Sequence, residues 1–135
     1  MTTPNWGPVR DCMRKNVTEV DGQLDVLSAL KIMKEVGATS LIVKRRDEND
    51  EIGMLLFSDV AKKVIAQNRA PERVNVYEIM AKPVLTVPPD MEIRYCARLF
   101  ENFGISHAPV VEDGKIVGMV SFYLLVLHGI LPDLD

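Results

Sequence analysis

The chain repeats itself, and this constrains its fold more than any other feature. A shift of 67 positions lays residues 9–44 onto residues 76–111 without a gap. Seven of the 36 pairs are identical (Val9/Val76, Met13/Met80, Lys15/Lys82, Val17/Val84, Val20/Val87, Gly37/Gly104 and Val43/Val110), where chance gives about two. Other pairs are apolar on both sides, among them Val26/Ile93, Ile32/Leu99 and Met33/Phe100. The register then slips by two, so that Ile52-Gly53-Met54-Leu55 matches Val117-Gly118-Met119-Val120 and Phe57 matches Phe122. The insertion falls in the polar run 45–51, a surface turn where two versions of one fold should differ. One copy has fewer than about 70 residues and buries too little surface to be comfortable alone. The two copies are therefore expected to pack as one pseudo-symmetric module, with paired clefts between them as natural ligand sites.

Each copy carries the same pattern of elements. A short extended piece (17–20; 84–87) precedes an amphipathic helix. Val26, Ala29, Leu30, Met33 and Val36 recur at helical spacing in the first copy, and Ile93, Cys96, Ala97, Phe100 and Phe103 in the second. Asp90, after Pro88-Pro89, is the expected N-cap of the second of these helices. Gly37 and Gly104 stand where a helix C-terminal glycine belongs. Two strands follow (40–43 then 52–57; 107–111 then 116–120), the second pair joined by the tight-turn sequence Glu112-Asp113-Gly114-Lys115. A closing helix is predicted over 59–67 and 122–131. The order is β-α-β-β-α twice, an α/β fold of the α+β type. The first repeat covers 9–67, a linker 68–75, and the second repeat 76–131.

Composition narrows the function. With 16 basic and 19 acidic residues the net charge is −3, which argues against a nucleic-acid partner. Cys12 and Cys96 make no disulfide framework or zinc motif and read as small apolar residues in a reducing compartment. No secretory signal is visible, and the most apolar stretch, 119–131, falls short of the ~20 residues that span a bilayer. No membrane association is expected, and a cytoplasmic location is. The sequence holds no Ser/His/Asp set, phosphate-binding glycine loop or dinucleotide fingerprint, so an enzyme is not expected. The acidic run Asp47-Glu48-Asn49-Asp50-Glu51 lacks the glycine and ligand spacing of a calcium loop and reads as a solvated turn.

The motifs resemble those of the cystathionine-β-synthase (CBS) domain, present here as a tandem pair, or Bateman module. Asp11-Cys12-Met13-Arg14-Lys15-Asn16-Val17 and Glu78-Ile79-Met80-Ala81-Lys82-Pro83-Val84 are similar to the family's D-x-M-x-x-x-V lead-in. Gly104-Ile105-Ser106-His107-Ala108-Pro109-Val110-Val111 resembles its G-I-S-H-L-P-V-V strand. Gly118-Met119-Val120-Ser121 and Gly53-Met54-Leu55-Leu56-Phe57-Ser58-Asp59-Val60 resemble its G-I-V-T-x-x-D strand-to-helix junction. The resemblance spans roughly 9–131. It implies a regulatory protein that requires no cofactor and binds an adenosine-containing ligand between the repeats. AMP, ADP or ATP is expected, with S-adenosylmethionine or NAD as alternatives. It also implies dimers and control of a partner, here a separate polypeptide.

The resemblance places candidate ligand residues at Asp59, Ser58, Thr39, Ser40, Ser106, His107, Ala108, Pro109, Ser121, Lys15 and Lys82. The chemistry is readable. One carboxylate accepts from both vicinal ribose hydroxyls, a helix-start hydroxyl reaches a phosphate, and a strand such as 106–111 offers adenine an apolar slot. Each residue also has a structural reading: Asp59 as a helix-dipole partner, Ser121 as an N-cap, His107 as a satisfied polar residue, Lys15 and Lys82 as solvated cations. The junction is incomplete in both copies. The first keeps Asp59 but has Leu56 for the hydroxyl residue; the second keeps Ser121 but has Leu124 for the acid. The two clefts should therefore differ, with Asp59 marking the better one. Degenerate clefts also fit a module used only for dimerisation or docking.

The last helix is apolar nearly all round, whereas a surface helix should have a polar face. A subunit interface is the expected cover, giving a homodimer through Phe122, Leu125, Val126 and Ile130.

Overall fold

The element boundaries follow turn and capping chemistry throughout residues 6–131, the part of the chain described in the computed structural model. A 3₁₀ turn at Val9–Asp11 precedes β1 (Glu19–Val20), α1 (Val26–Val36), β2 (Ser40–Val43), β3 (Gly53–Leu56) and α2 (Phe57–Val60). The last of these continues through wider helical turns over Ala61–Ile65. A second 3₁₀ turn, Pro71–Arg73, leads to α3 (Val76–Ile79), α4 (Ile93–Phe103), β4 (His107–Glu112), β5 (Lys115–Ser121) and α5 (Phe122–Ile130). This is the mixed α+β order expected from the repeat.

α1 starts at Asp25, whose carboxylate accepts from the Ser28 N–H at 2.9 Å and the Ser28 hydroxyl at 2.7 Å. α1 and α4 end on Gly37 and Gly104, both left-handed (φ 69° and 63°), a conformation that costs a residue with a Cβ about 1–2 kcal/mol. In the β4–β5 hairpin Asp113 and Gly114 both have positive φ, and Glu112 pairs with Lys115. Asp90 is not the N-cap of α4. That place belongs to Glu92, and Asp90 instead takes the Arg10 guanidinium at 2.9 Å, which also reaches Glu112 at 3.0 Å. The extended piece expected at 84–87 makes a single parallel bridge, Val87 to Val110.

The chain forms two compact units, and they do not follow the order of the repeats. Thr18–Val84 make one; residues 6–17 and 85–131 make the other. In the first, β1 pairs parallel with β2 and β2 antiparallel with β3, Ser40 facing Leu56. Its far edge is closed by the lead-in of the second repeat, through an antiparallel bridge from Met54 to Ala81. In the second unit β4 and β5 pair antiparallel, and the lead-in of the first repeat closes the edge through a bridge from Met119 to Arg14. Each lead-in thus completes the sheet of the other repeat.

Glycine makes this closure fit. A Cβ at Gly53 would lie 2.6 Å from the Met80 sulfur, and one at Gly118 would lie 2.6 Å from the Met13 sulfur. The same glycine therefore faces the same methionine in both units. Each unit has its own core. Met33, Leu41, Leu55 and Ile79 fill the first; Cys96, Phe100, Val110 and Val120 fill the second, where Phe100 meets Phe122 edge-on at 5.2 Å. Burying one such large side chain contributes roughly 1.5–3 kcal/mol. Val74, within the segment read as linker, is buried in the first core, and its carbonyl accepts from the Val26 N–H.

Candidate functional site

The strand-to-helix junctions hold Ser58, Asp59 and Ser121 among the residues singled out by the sequence. In the 18–84 unit, β3 ends at Leu56 and α2 begins at once. The half-buried Asp59 turns back and accepts the Leu56 N–H on Oδ2 at 2.9 Å. Among the described residues no hydrogen bond reaches Oδ1. Ser58 is exposed beside it. Ser40, half-buried at the start of β2, lies across the sheet from Leu56, and the exposed Thr39 precedes it. Ser40, Ser58 and Asp59 are thus gathered at one end of this sheet.

The other unit repeats the arrangement with different groups. Ser121 caps α5, its hydroxyl accepting from the Leu124 N–H at 3.3 Å. It pairs across the sheet with His107. The Nδ1 of His107 lies 2.8 Å from the Ser106 hydroxyl, and burial pushes the imidazole pKa down, favouring the neutral ring. Ala108 and Pro109 are buried in β4. The two halves of one capping box are therefore divided between the repeats: the first keeps the acid, the second the hydroxyl.

The two lysines matched by the repeat lie in different units. Lys15 is exposed in one. Lys82, in the other, binds Asp50 at 2.5 Å at the hairpin end of the sheet, away from Asp59. Asp50 overturns the reading of 47–51 as a purely solvated turn. Its side chain is only 9% exposed, and it also accepts from the Arg46 backbone N–H at 2.9 Å and the Arg46 guanidinium at 3.1 Å. Hydrogen bonding from Lys82 first, then from Arg46, holds its carboxyl far below the usual carboxylate range. No sequence motif marks Asp50; the one available signal was the insertion that carries it.

Leu125 must be removed from the expected interface, because it is 4% exposed and belongs to the second core. Phe122, Tyr123, Val126 and Ile130 remain on the outer face of α5, exposed by 42–69%. Among the described residues no helix is long and apolar enough to cross a membrane, and no cluster of three His, Cys, Asp or Glu residues could hold a metal.

The CBS-domain family matches residues 9–66 and again 76–126. The chain belongs to the CBS-domain family. Among solved structures, a hexameric CBS-CP12 protein from bloom-forming cyanobacteria is 34% identical with a TM-score of 0.88, over 93% of this chain and 73% of that one. The CBS domain pair of protein MJ0100, in complex with 5′-methylthioadenosine and S-adenosyl-L-methionine, is 26% identical with a TM-score of 0.74, over 88% and 96%. Protein MK0525 of Methanopyrus kandleri is 34% identical over 90 residues, 66% of this chain and 45% of its own length. Protein MJ0450 of Methanocaldococcus jannaschii is 29% identical over 84% of this chain and 61% of its own length. The chain thus spans roughly half the length of these curated relatives.

Proposed function

We propose that this CBS pair is a regulatory module that binds an adenosine-containing ligand and signals to a separate protein, acting by binding rather than by catalysis. One observation carries the reading. Asp59 is half-buried at a strand-to-helix junction with one carboxylate oxygen fixed by the Leu56 N–H and the other without a partner among the described residues. An oriented acceptor with a free oxygen suits the vicinal hydroxyls of a ribose. Ser40 and Ser58 supply hydroxyls beside it. The similar MJ0100 structure, with its two adenosyl compounds, supports the ligand class. AMP, ADP and ATP are the first ligands to test, then S-adenosylmethionine and NAD.

The second junction has no acid, so we expect one good site per chain. The test is calorimetric titration of wild type and Asp59→Asn with each compound. Asparagine keeps an oxygen for the Leu56 N–H, so the helix stays capped while the charge is lost. The expected result is a single saturable site, weakened about tenfold to a hundredfold by the substitution. Two equal tight sites, or an unchanged affinity in Asp59→Asn, would overturn the reading.

A second reading rests on a different observation. The surviving junction groups Asp59 and Ser121 both serve as helix caps, which fits a module for docking or self-association without a ligand. The outer face of α5, with Phe122, Val126 and Ile130, is the surface we assign to a homodimer. The hexameric state of the similar CBS-CP12 protein supports self-association. A monomer by light scattering at micromolar concentration would exclude it.

A further inference from the structure

The hairpin end of the 18–84 unit carries a concavity, at the opposite end of the sheet from Asp59. It has a volume of about 600 Å³ and is lined by Lys44, Arg45, Arg46, Lys82, Asp21 and Tyr77, among others. That volume lies in the range of small-molecule sites, roughly 300–1,000 Å³. It has room for an anion larger than a single phosphate.

Four cations line this space, and the anions beside them are already engaged. Asp50 holds Lys82 and Arg46 from the rim. The Asp21 carboxylate accepts the Gln23 N–H at 2.8 Å, closing a turn. Asp47, in the same hairpin, accepts the Asn49 N–H at 2.8 Å. No ion pair or side-chain hydrogen bond among the described residues reaches Lys44 or Arg45. Asp21 is the one acid of the lining, and with Asp50 at the rim and Asp47 in the hairpin also counted, the four cations keep an excess of one positive charge. Arg46 and Lys82 are fixed in direction by a nearly buried carboxylate, so they are positioned rather than merely solvated. Tyr77, 54% exposed, offers an aromatic face on the wall.

We propose that this pocket binds a small anion carrying at least two linked phosphate groups, at a site independent of Asp59. Lys44 and Arg45 meet the phosphates directly. Arg46 and Lys82, held by Asp50, shape the base, and Tyr77 covers one side. The site adjoins the two-residue insertion at 45–51, which the second repeat lacks. Its hairpin is the shorter Glu112-Asp113-Gly114-Lys115 turn.

The test uses inorganic pyrophosphate as the probe, titrated by calorimetry into the full chain. Lys44→Glu/Arg45→Glu is the pocket variant. Both side chains are exposed and unpaired, so the fold is expected to persist, and a thermal melt checks this. Lys31→Glu/Lys34→Glu on α1 is the charge-matched control. The expected result is saturable binding that weakens at least tenfold in the pocket variant and stays within twofold in the control and in Asp59→Asn. Binding should also weaken steeply as salt rises. Absence of saturable binding overturns the proposal. So does an equal loss in the α1 control, which would mean diffuse attraction. Loss in Asp59→Asn would place pyrophosphate at the adenosyl site instead, and would equally overturn it.

Discussion

Replacing Gly118 by alanine should break the closure between β5 and the lead-in of the first repeat. The added Cβ would lie 2.6 Å from the Met13 sulfur and 2.9 Å from the Arg14 carbonyl oxygen. The thioether is the end of a flexible chain and can swing aside. The carbonyl cannot, because Arg14 and Met119 exchange two backbone hydrogen bonds, at 2.8 and 2.9 Å. Relieving the contact must stretch that pair. Overpacking of this kind costs about 1–3 kcal/mol, and a weakened backbone pair adds up to about 1 kcal/mol per bond. We expect a loss of about 2–3 kcal/mol, read from urea unfolding followed by circular dichroism. Gly53→Ala is the internal comparison. Its Cβ meets the Met80 sulfur at 2.6 Å, but the nearest backbone atom, the Ala81 carbonyl oxygen, only at 3.2 Å. It should cost about 1 kcal/mol less. Met13→Ala in the Gly118→Ala background should recover only part of the loss, since the carbonyl contact persists. If Gly118→Ala stays within about 0.5 kcal/mol of wild type, or Gly53→Ala proves the worse, the lead-in does not close the sheet as described.

Three further outcomes follow from the structure. Cys12 and Cys96 are both buried, and burial pushes each thiol up to about 11. Neither should react with a thiol reagent in the native state. Their raised values add stability that is full below the unfolded value near 9 and is lost as pH rises from about 9 to about 11, so a Cys12→Ala/Cys96→Ala variant should show a flatter alkaline limb in a pH series of melts. Asp50 is displaced the other way. Its depressed pKa adds stability above the unfolded value of 3.8 that fades as pH falls through and below it. Asp50→Asn should therefore melt below wild type at pH 7, with the gap closing toward pH 2; a constant gap would refute the assignment. Phe100→Ala removes the largest fully buried side chain among the described residues and its edge-on contact with Phe122, and should cost about 3–5 kcal/mol by urea titration.

The repeat made most of the fold legible, because apolar spacing, the two helix-ending glycines and the Asp113-Gly114 turn are local signals with local causes. The sequence did not show that each lead-in closes the sheet of the other repeat. That pairing depends on contacts about 100 residues apart for Arg14 with Met119, and the facing Gly/Met pairs become meaningful only once the strands are in place. Asp90 departs from its expected cap position for a related reason. Next to Pro88-Pro89 it has the right type for a cap, but a long-range partner, Arg10, takes it. The Ser40 and Asp59 junction could be located from sequence by its motif. Asp50 could not, since an acid in a run of polar residues looks solvated until Lys82 is brought against it.

The divided capping box gives the sharpest way to separate a ligand role from a structural one. An N-terminal helix turn gains most of its benefit from one capped donor, and each repeat retains one: Asp59 for the Leu56 N–H, Ser121 for the Leu124 N–H. Folding alone therefore does not require the missing partner in either repeat, whereas a ribose-phosphate ligand would use both groups at one junction. Leu56→Ser restores the hydroxyl in the first repeat. The new N-cap is worth about 1 kcal/mol, and loss of a half-buried leucine side chain costs about the same. Stability should thus stay near wild type while adenosyl-ligand affinity rises. A higher melting temperature with unchanged affinity would mean that the junction serves the helix alone, and the docking reading would then hold.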